Sequence, residues 1–216
     1  VATVLFDLDH TLIRFDSFMR LAATLLRRQR WRTAATLAAG PLLGALWLGH
    51  RSTRRLAGST LCWLATVRQP DPLETLMDAE VAAWFAEQSS ICRTALAALE
   101  RHRQAGDRIV VVTGAVETLA RRVCAQIGLE SVEVVGSTLR AWRGGWIAGV
   151  HCYGSTKPRV LAERGLEPPW DVVYTDSAAD IPLLVAARRR VLVNPSVRDE
   201  KRIAALLPGV EILRGE

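Results

Sequence analysis

Apolar residues fall into two textures along this chain. At the start and from about residue 91 onward they form short, mostly β-branched runs. These are Val4-Leu5-Phe6, Ile109-Val110-Val111-Val112, Val132-Glu133-Val134-Val135, Val172-Val173-Tyr174 and Val191-Leu192-Val193. Continuous apolar runs suit strands covered on both faces, and their alternation with helical patterns predicts a parallel α/β sheet. Between about 14 and 90 no strand pattern occurs. Leu21-Leu25, Leu42-Leu46, Leu56-Thr60-Trp63-Leu64 and Leu73-Leu76-Met77 recur at helical spacing instead, with a break at Arg68-Gln69-Pro70-Asp71-Pro72. The pattern predicts an α/β core domain from residues 1–13 and 91–216, interrupted by an all-helical domain of four or five helices at 14–90. Residues 138–148, with Gly144-Gly145 at the centre, predict a β-hairpin.

Composition adjusts this picture in four places. The net charge of +6 favours anionic ligands. The arginine clusters lack the interleaved aromatics of a strand binder, so nucleic acid is not expected as a partner. The stretch Thr33–Gly49 carries no charge, but at 17 residues it is short for a membrane span and is interrupted by Gly40-Pro41. Buried helices split at that dipeptide are the expectation, ahead of membrane contact. Trp31, Trp47, Trp63 and Trp84 are expected to pack the helical core. Cys62, Cys92, Cys124 and Cys152 have no Cys-x-x-Cys spacing, so free buried thiols are expected. Together with a strand near the start and no visible signal segment, they predict a cytoplasmic protein.

The chemistry gathers at strand ends. Asp7-Leu8-Asp9-His10-Thr11 follows the first strand, and two carboxylates so close repel each other unless a cation or shared proton relieves them. Ile109–Val112 ends in Thr113-Gly114, a hydroxyl and a free amide suited to a phosphate oxygen or to a helix cap. Gly154-Ser155-Thr156-Lys157 places an ammonium before a helix. Val172-Val173-Tyr174 leads into Thr175-Asp176-Ser177-Ala178-Ala179-Asp180, two acids at helical spacing.

In this order the four sites resemble the haloacid dehalogenase-like superfamily, and Asp-Ser-x-x-Asp-x-Pro-Leu-Leu with the later Val193-Asn194-Pro195 looks like its phosphoserine-phosphatase-like branch. The resemblance implies a Rossmann-like core with a helical C1 cap inserted after the first strand. It also implies a Mg²⁺-dependent phosphomonoesterase working through an aspartyl-phosphate. Asp7 would be the nucleophile and Asp9 the acid and base. Asp7, the main-chain carbonyl of Asp9 and Asp176 would hold the metal. Thr113, Gly114 and Lys157 would bind the phosphoryl group, with Thr11 and Asp180 in support. Asp9 argues against a dehalogenase, which needs no second acid. His10 stands where glycine is usual, and Thr175 where glycine commonly precedes the fourth-site acid. Asp16, Arg20, Arg51, Arg54 and Arg55 are the candidates for meeting a small phosphorylated metabolite. Phosphotransferase or phosphomutase activity, and a noncatalytic Mg²⁺/phosphate-binding module, are the competing expectations. Oligomeric state is not legible.

Overall fold

The computed structural model describes residues 1–86 and 90–215, apart from the side chain of Arg51. Six parallel strands run in the order β3-β2-β1-β6-β7-β8. They are β1 Thr3–Phe6, β2 Arg108–Val116, β3 Glu133–Ser137, β6 Trp170–Thr175, β7 Ala187–Val193 and β8 Glu211–Leu213. The last was not anticipated, being short and only partly apolar. Val4 and Phe6 pack on one face of the sheet and Leu5 on the other, which is why the strand reads as an unbroken apolar run. Helices α5 (Arg93–Gln104) and α6 (Glu117–Gln126) serve the first face; α7 (Lys157–Ala162), α8 (Ile181–Val185) and α9 (Val197–Leu206) serve the second.

β1 and β6 are the adjacent strands from which the chain winds outward in opposite directions, the switch point at which open α/β sheets bind ligands. Their pairing is fixed by a Phe6–Tyr174 stack, with ring centroids 4.2 Å apart. His102 closes the stack, one ring nitrogen 3.1 Å from the Tyr174 hydroxyl and the other 2.8 Å from Asp107.

Between β1 and α5 the described residues form four α-helices, α1 Ser17–Arg27, α2 Arg30–Leu48, α3 Arg51–Thr66 and α4 Leu73–Trp84. The hairpin forms as β4 Leu139–Trp142 and β5 Gly145–Ala148 and leans on α3. Gly145 is required there, since a Cβ would meet Trp63 at 2.9 Å and the Val67 backbone at 3.1 Å.

Two expectations fail in this region. Thr33–Gly49 is not split: α2 runs unbroken through Pro41. The proline forfeits a single helical hydrogen bond, and Gly40 before it has no Cβ to clash with the ring. Nor is the stretch buried, because Leu37, Leu42 and Leu48 face outward. Trp31 and Trp47 are likewise exposed, while Trp84 does pack in the core. Among the described residues no helix is long and apolar enough to cross a membrane.

Arg32 is the unexpected core residue of the insertion. It is fully buried and donates to the carbonyls of Leu25 (3.4 Å) and Val67 (2.7 Å). Those carbonyls lie near the C-terminal ends of α1 and α3, where helix dipoles present partial negative charge. A guanidinium therefore joins three helices without an acidic partner. Arg32→Ala leaves both carbonyls unsatisfied at a cost of about 2 kcal/mol. In a chain of this size that is expected to lower the melting temperature by ~4–8 °C, measured by thermal denaturation.

Candidate active site

Each site residue sits at the carboxyl edge of the sheet for a local reason. Asp7 follows the last residue of β1, and its amide extends the parallel ladder by donating to the Tyr174 carbonyl at 2.9 Å. Asp176 follows β6 in the same way, and Lys157 is the first residue of α7. Lys157 Nζ donates to Asp7 Oδ1 at 2.9 Å and to Asp180 Oδ2 at 2.7 Å. Lysine and Asp180 are each 2% exposed. Thr175 donates its hydroxyl to the same Asp180 oxygen at 2.9 Å while accepting from the Ser177 amide. Thr11 reaches Asp176 Oδ1 at 3.4 Å.

Charge at this edge is unbalanced. One ammonium faces three carboxylates: Asp7, Asp176 and Asp180. Burial is the main reason the Asp7 carboxyl is raised, to about 8; Lys157 opposes the shift, and Asp180 and Asp176 add to it. Burial also raises Asp176. Burial alone would depress Lys157, but Asp180 and Asp7 outweigh it and hold the ammonium firmly protonated. Asp9 points elsewhere, accepting from the Ser17 amide at 3.0 Å. Burial first, and then the charge of Asp16, raise its carboxyl to about 6.

This imbalance fits a hard divalent cation, which takes oxygen ligands and supplies the missing positive charge. Among the described residues no three His, Cys, Asp or Glu side chains gather as a metal cluster. Asp7 and Asp176 would be the side-chain donors, with a main-chain carbonyl such as that of Asp9 alongside.

The remaining sequence candidates divide. Thr113 is buried in β2, and its hydroxyl accepts from the Ala115 amide at 3.0 Å. It does not cap α6, whose N-cap is Val116. The Gly114 backbone lies against the ring of Tyr153; a Cβ there would be 3.1 Å from the ring. Asp16 caps α1 by accepting from the Met19 amide at 2.7 Å. Arg20 is exposed and lies over the rings of Phe15 and Trp84. Arg54 donates to the Gly49 carbonyl, and Arg55 to that of Gly149. The Arg51 side chain lies outside the described residues. His10 adopts φ 59°, which explains why glycine suits that position. Its ring is exposed, near enough to Asp9 and Asp176 to favour their charged forms.

Sequence reasoning missed Tyr153 and Ser17. Tyr153 is 55% exposed, stacks on His151 at 5.6 Å between centroids, and feels the charges of Asp180, Lys157 and Asp7. Its only linear signal is its place four residues before Lys157. Ser17 contributes a main-chain amide, which no side-chain pattern announces.

Comparisons with known proteins identify the family and the fold. The sequence profile of the haloacid dehalogenase-like hydrolases matches residues 4–185. An "Inhibition of morphological differentiation protein" of Streptomyces azureus is 28% identical over 209 residues, covering 88% of this chain and 70% of that protein. A Bordetella pertussis Tohama I protein of unknown function superposes with a TM-score of 0.75 at 23% identity, over 99% of this chain and 98% of the other. A phosphoserine phosphatase holding an analogue of its phospho-aspartyl intermediate superposes at 0.61 with 16% identity, over 98% and 92%.

The raised Asp7 carboxyl has a consequence for stability. Folded, metal-free protein keeps that proton up to about pH 8, whereas a free carboxyl loses it near 3.8. Its contribution is therefore complete below 3.8 and is lost as pH rises through 8. Asp7→Asn is neutral throughout. With chelator present it is expected to raise the melting temperature by ~2 °C or more at alkaline pH, with little change in acid. Equal shifts at both pH values would contradict the electrostatic account.

Proposed function

The chain belongs to the haloacid dehalogenase-like hydrolases, and on that premise we propose that it hydrolyses phosphate monoesters of small metabolites. The observation that carries this reading is the buried Lys157 bridging Asp7 and Asp180, with a second acid, Asp9, two residues beyond the first. Binding a phosphate needs the lysine; it does not need Asp9.

In the first half-reaction an Asp7 carboxylate oxygen attacks phosphorus and the bond to the leaving oxygen breaks. Asp9 gives that oxygen its proton. A carboxyl raised to about 6 is a stronger candidate for this task than one at the ordinary value, because more of it is protonated near neutrality. In the second half, water attacks phosphorus, Asp9 takes a proton from it, and the bond to Asp7 breaks to release phosphate. Lys157 fixes the Asp7 rotamer and offers its charge to the phosphoryl oxygens, joined by the Gly114 amide and Thr113. Asp180, held by Thr175, fixes Lys157. Bound Mg²⁺ would supply charge neutralisation of the phosphoryl group, held by Asp7, Asp176 and the Asp9 carbonyl.

The helices from 17 to 84 act in this proposal as a cap over the edge of the sheet. Arg55 ties α3 to the segment leading to Lys157, through the Gly149 carbonyl. Arg20, on its aromatic platform, is the exposed cation best placed by sequence to meet an anionic leaving group. Four free buried thiols, three of them pushed up to about 12 by burial, suit the reducing cytoplasm.

Turnover of p-nitrophenyl phosphate and a panel of phosphorylated metabolites is expected with Mg²⁺ and not with chelator. Asp7→Asn is expected to lower kcat by about three orders of magnitude or more, and undiminished turnover would reject the nucleophile. Asp9→Asn is expected to lose roughly 10²–10⁴-fold in kcat for leaving groups that need protonation. Phosphoryl transfer to added glycerol in preference to release of inorganic phosphate would favour the phosphotransferase. Absence of turnover across the panel, with phosphate binding retained, would favour the noncatalytic module.

A further inference from the structure

α2 presents an apolar face to solvent that neither its neighbours nor the candidate active site uses. Its packed side meets α1 and α3. On the other side Trp31, Leu37, Leu42 and Leu48 are 44–84% exposed, with Ala34, Ala38, Pro41 and Ala45 exposed between them. From Thr33 to Gly49 the helix carries no charged residue. An exposed helix face in a water-soluble setting is normally polar, and a patch of this kind marks a contact surface.

The surrounding charge says what kind of contact. Between Asp16 and Asp71 the chain contains no acidic residue and nine arginines. Arg32 is buried, and Arg28 pairs with Glu80 at 3.0 Å. Arg27 and Arg30 are exposed at one end of the face, and Arg54 and Arg55 are exposed beyond the other. A second copy of this chain would set like charges against each other across a symmetric contact. A nucleic acid would find no cation on the face itself. An anionic lipid surface satisfies both parts at once: apolar side chains enter the acyl boundary while guanidinium groups meet the headgroups.

We propose that the outer face of α2 seats flat on the surface of an anionic lipid bilayer. The helix is roughly 28 Å long at 1.5 Å per residue and lies in the plane of the interface. Trp31, at the edge of the face near one end, sits at headgroup depth, where indoles are favoured. The helix is anchored on the bilayer and does not cross it, in keeping with the absence of a spanning helix among the described residues. This surface is distinct from the edge of the sheet that holds Asp7, and the proposal does not depend on the hydrolytic reading.

Flotation with phosphatidylcholine vesicles, with and without phosphatidylglycerol, tests it. The full chain is expected to float with the anionic vesicles and roughly tenfold less with neutral ones, with binding falling as salt rises. Leu37→Glu/Leu42→Glu is expected to reduce flotation by about tenfold with an unchanged melting temperature. If that pair destabilises the fold, Leu37→Ser/Leu42→Ser serves instead. Arg27→Gln/Arg30→Gln is expected to weaken binding and flatten its salt dependence. Wild-type protein that stays at the bottom of the gradient, or floats equally with both vesicles, overturns the proposal. So does a Leu37/Leu42 variant that floats like wild type. A dimer that dissociates on the same substitutions, without vesicle binding, would assign the face to a second copy and overturn it too.

Discussion

A lysine held almost entirely out of water between two carboxylates organises the carboxyl edge of the sheet. Removing an ammonium from solvent is costly unless oxygens surround it in good geometry. Lys157 has Asp7 at 2.9 Å and Asp180 at 2.7 Å. That geometry is available only because three distant segments end at one edge of the sheet. β1 delivers Asp7, β6 and the turn after it deliver Asp180, and α7 begins at the lysine itself. Thr175 then fills a position where glycine is common, and its hydroxyl donates to the same Asp180 oxygen that receives the ammonium. The substitution adds a hydrogen bond to the cluster.

The same crowding accounts for the reactivity proposed here. The site is buried and gathers three acids around one cation; burial first, and then the charges of Asp180 and Asp176, leave Asp7 holding its proton. A divalent cation and a phosphate arriving together would relieve the imbalance, one by adding positive charge and the other by engaging the lysine. Asp9 stands outside this tension. Its bond to the Ser17 amide ties it to the start of α1, so Asp9, the proposed acid and base, is positioned by the helical insertion, and Asp7, the proposed nucleophile, by the sheet.

The helical insertion uses arginine in two opposite ways. Arg32 is drawn inside, where carbonyls at two helix ends receive it. Its neighbours Arg27 and Arg30 stay at the surface, at one end of an apolar helix face. The segment between Asp16 and Asp71 has no acid of its own, so Arg28 pairs with Glu80 on α4, Arg32 is met by main-chain oxygen, and Arg27 and Arg30 stay exposed.

Local pattern was enough to specify five of the six strands of the sheet. Buried parallel strands must be apolar on both faces, so Ile109–Val112 and Val191–Val193 announce themselves, as does the hairpin through Gly144-Gly145. The candidate site residues were legible for a related reason: Asp7 and Asp176 stand at or just after the ends of apolar runs and so lie at strand ends, and Lys157 follows Gly154-Ser155-Thr156 at the start of a helix. β8 was not legible, because a three-residue edge strand carries too little pattern. Nor was the course of α2. An apolar, uncharged run reads the same whether it faces a core or solvent, and only the packing of α1 and α3 decides which side is left uncovered. Tyr153 entered the site through the turn that brings its ring against Gly114, a contact between residues 39 positions apart in the chain. Sequence determined which residues carry charge and which strands carry them. Tertiary structure decided which of those charges meet, because proximity across the sheet follows from strand order, and linear spacing does not encode strand order.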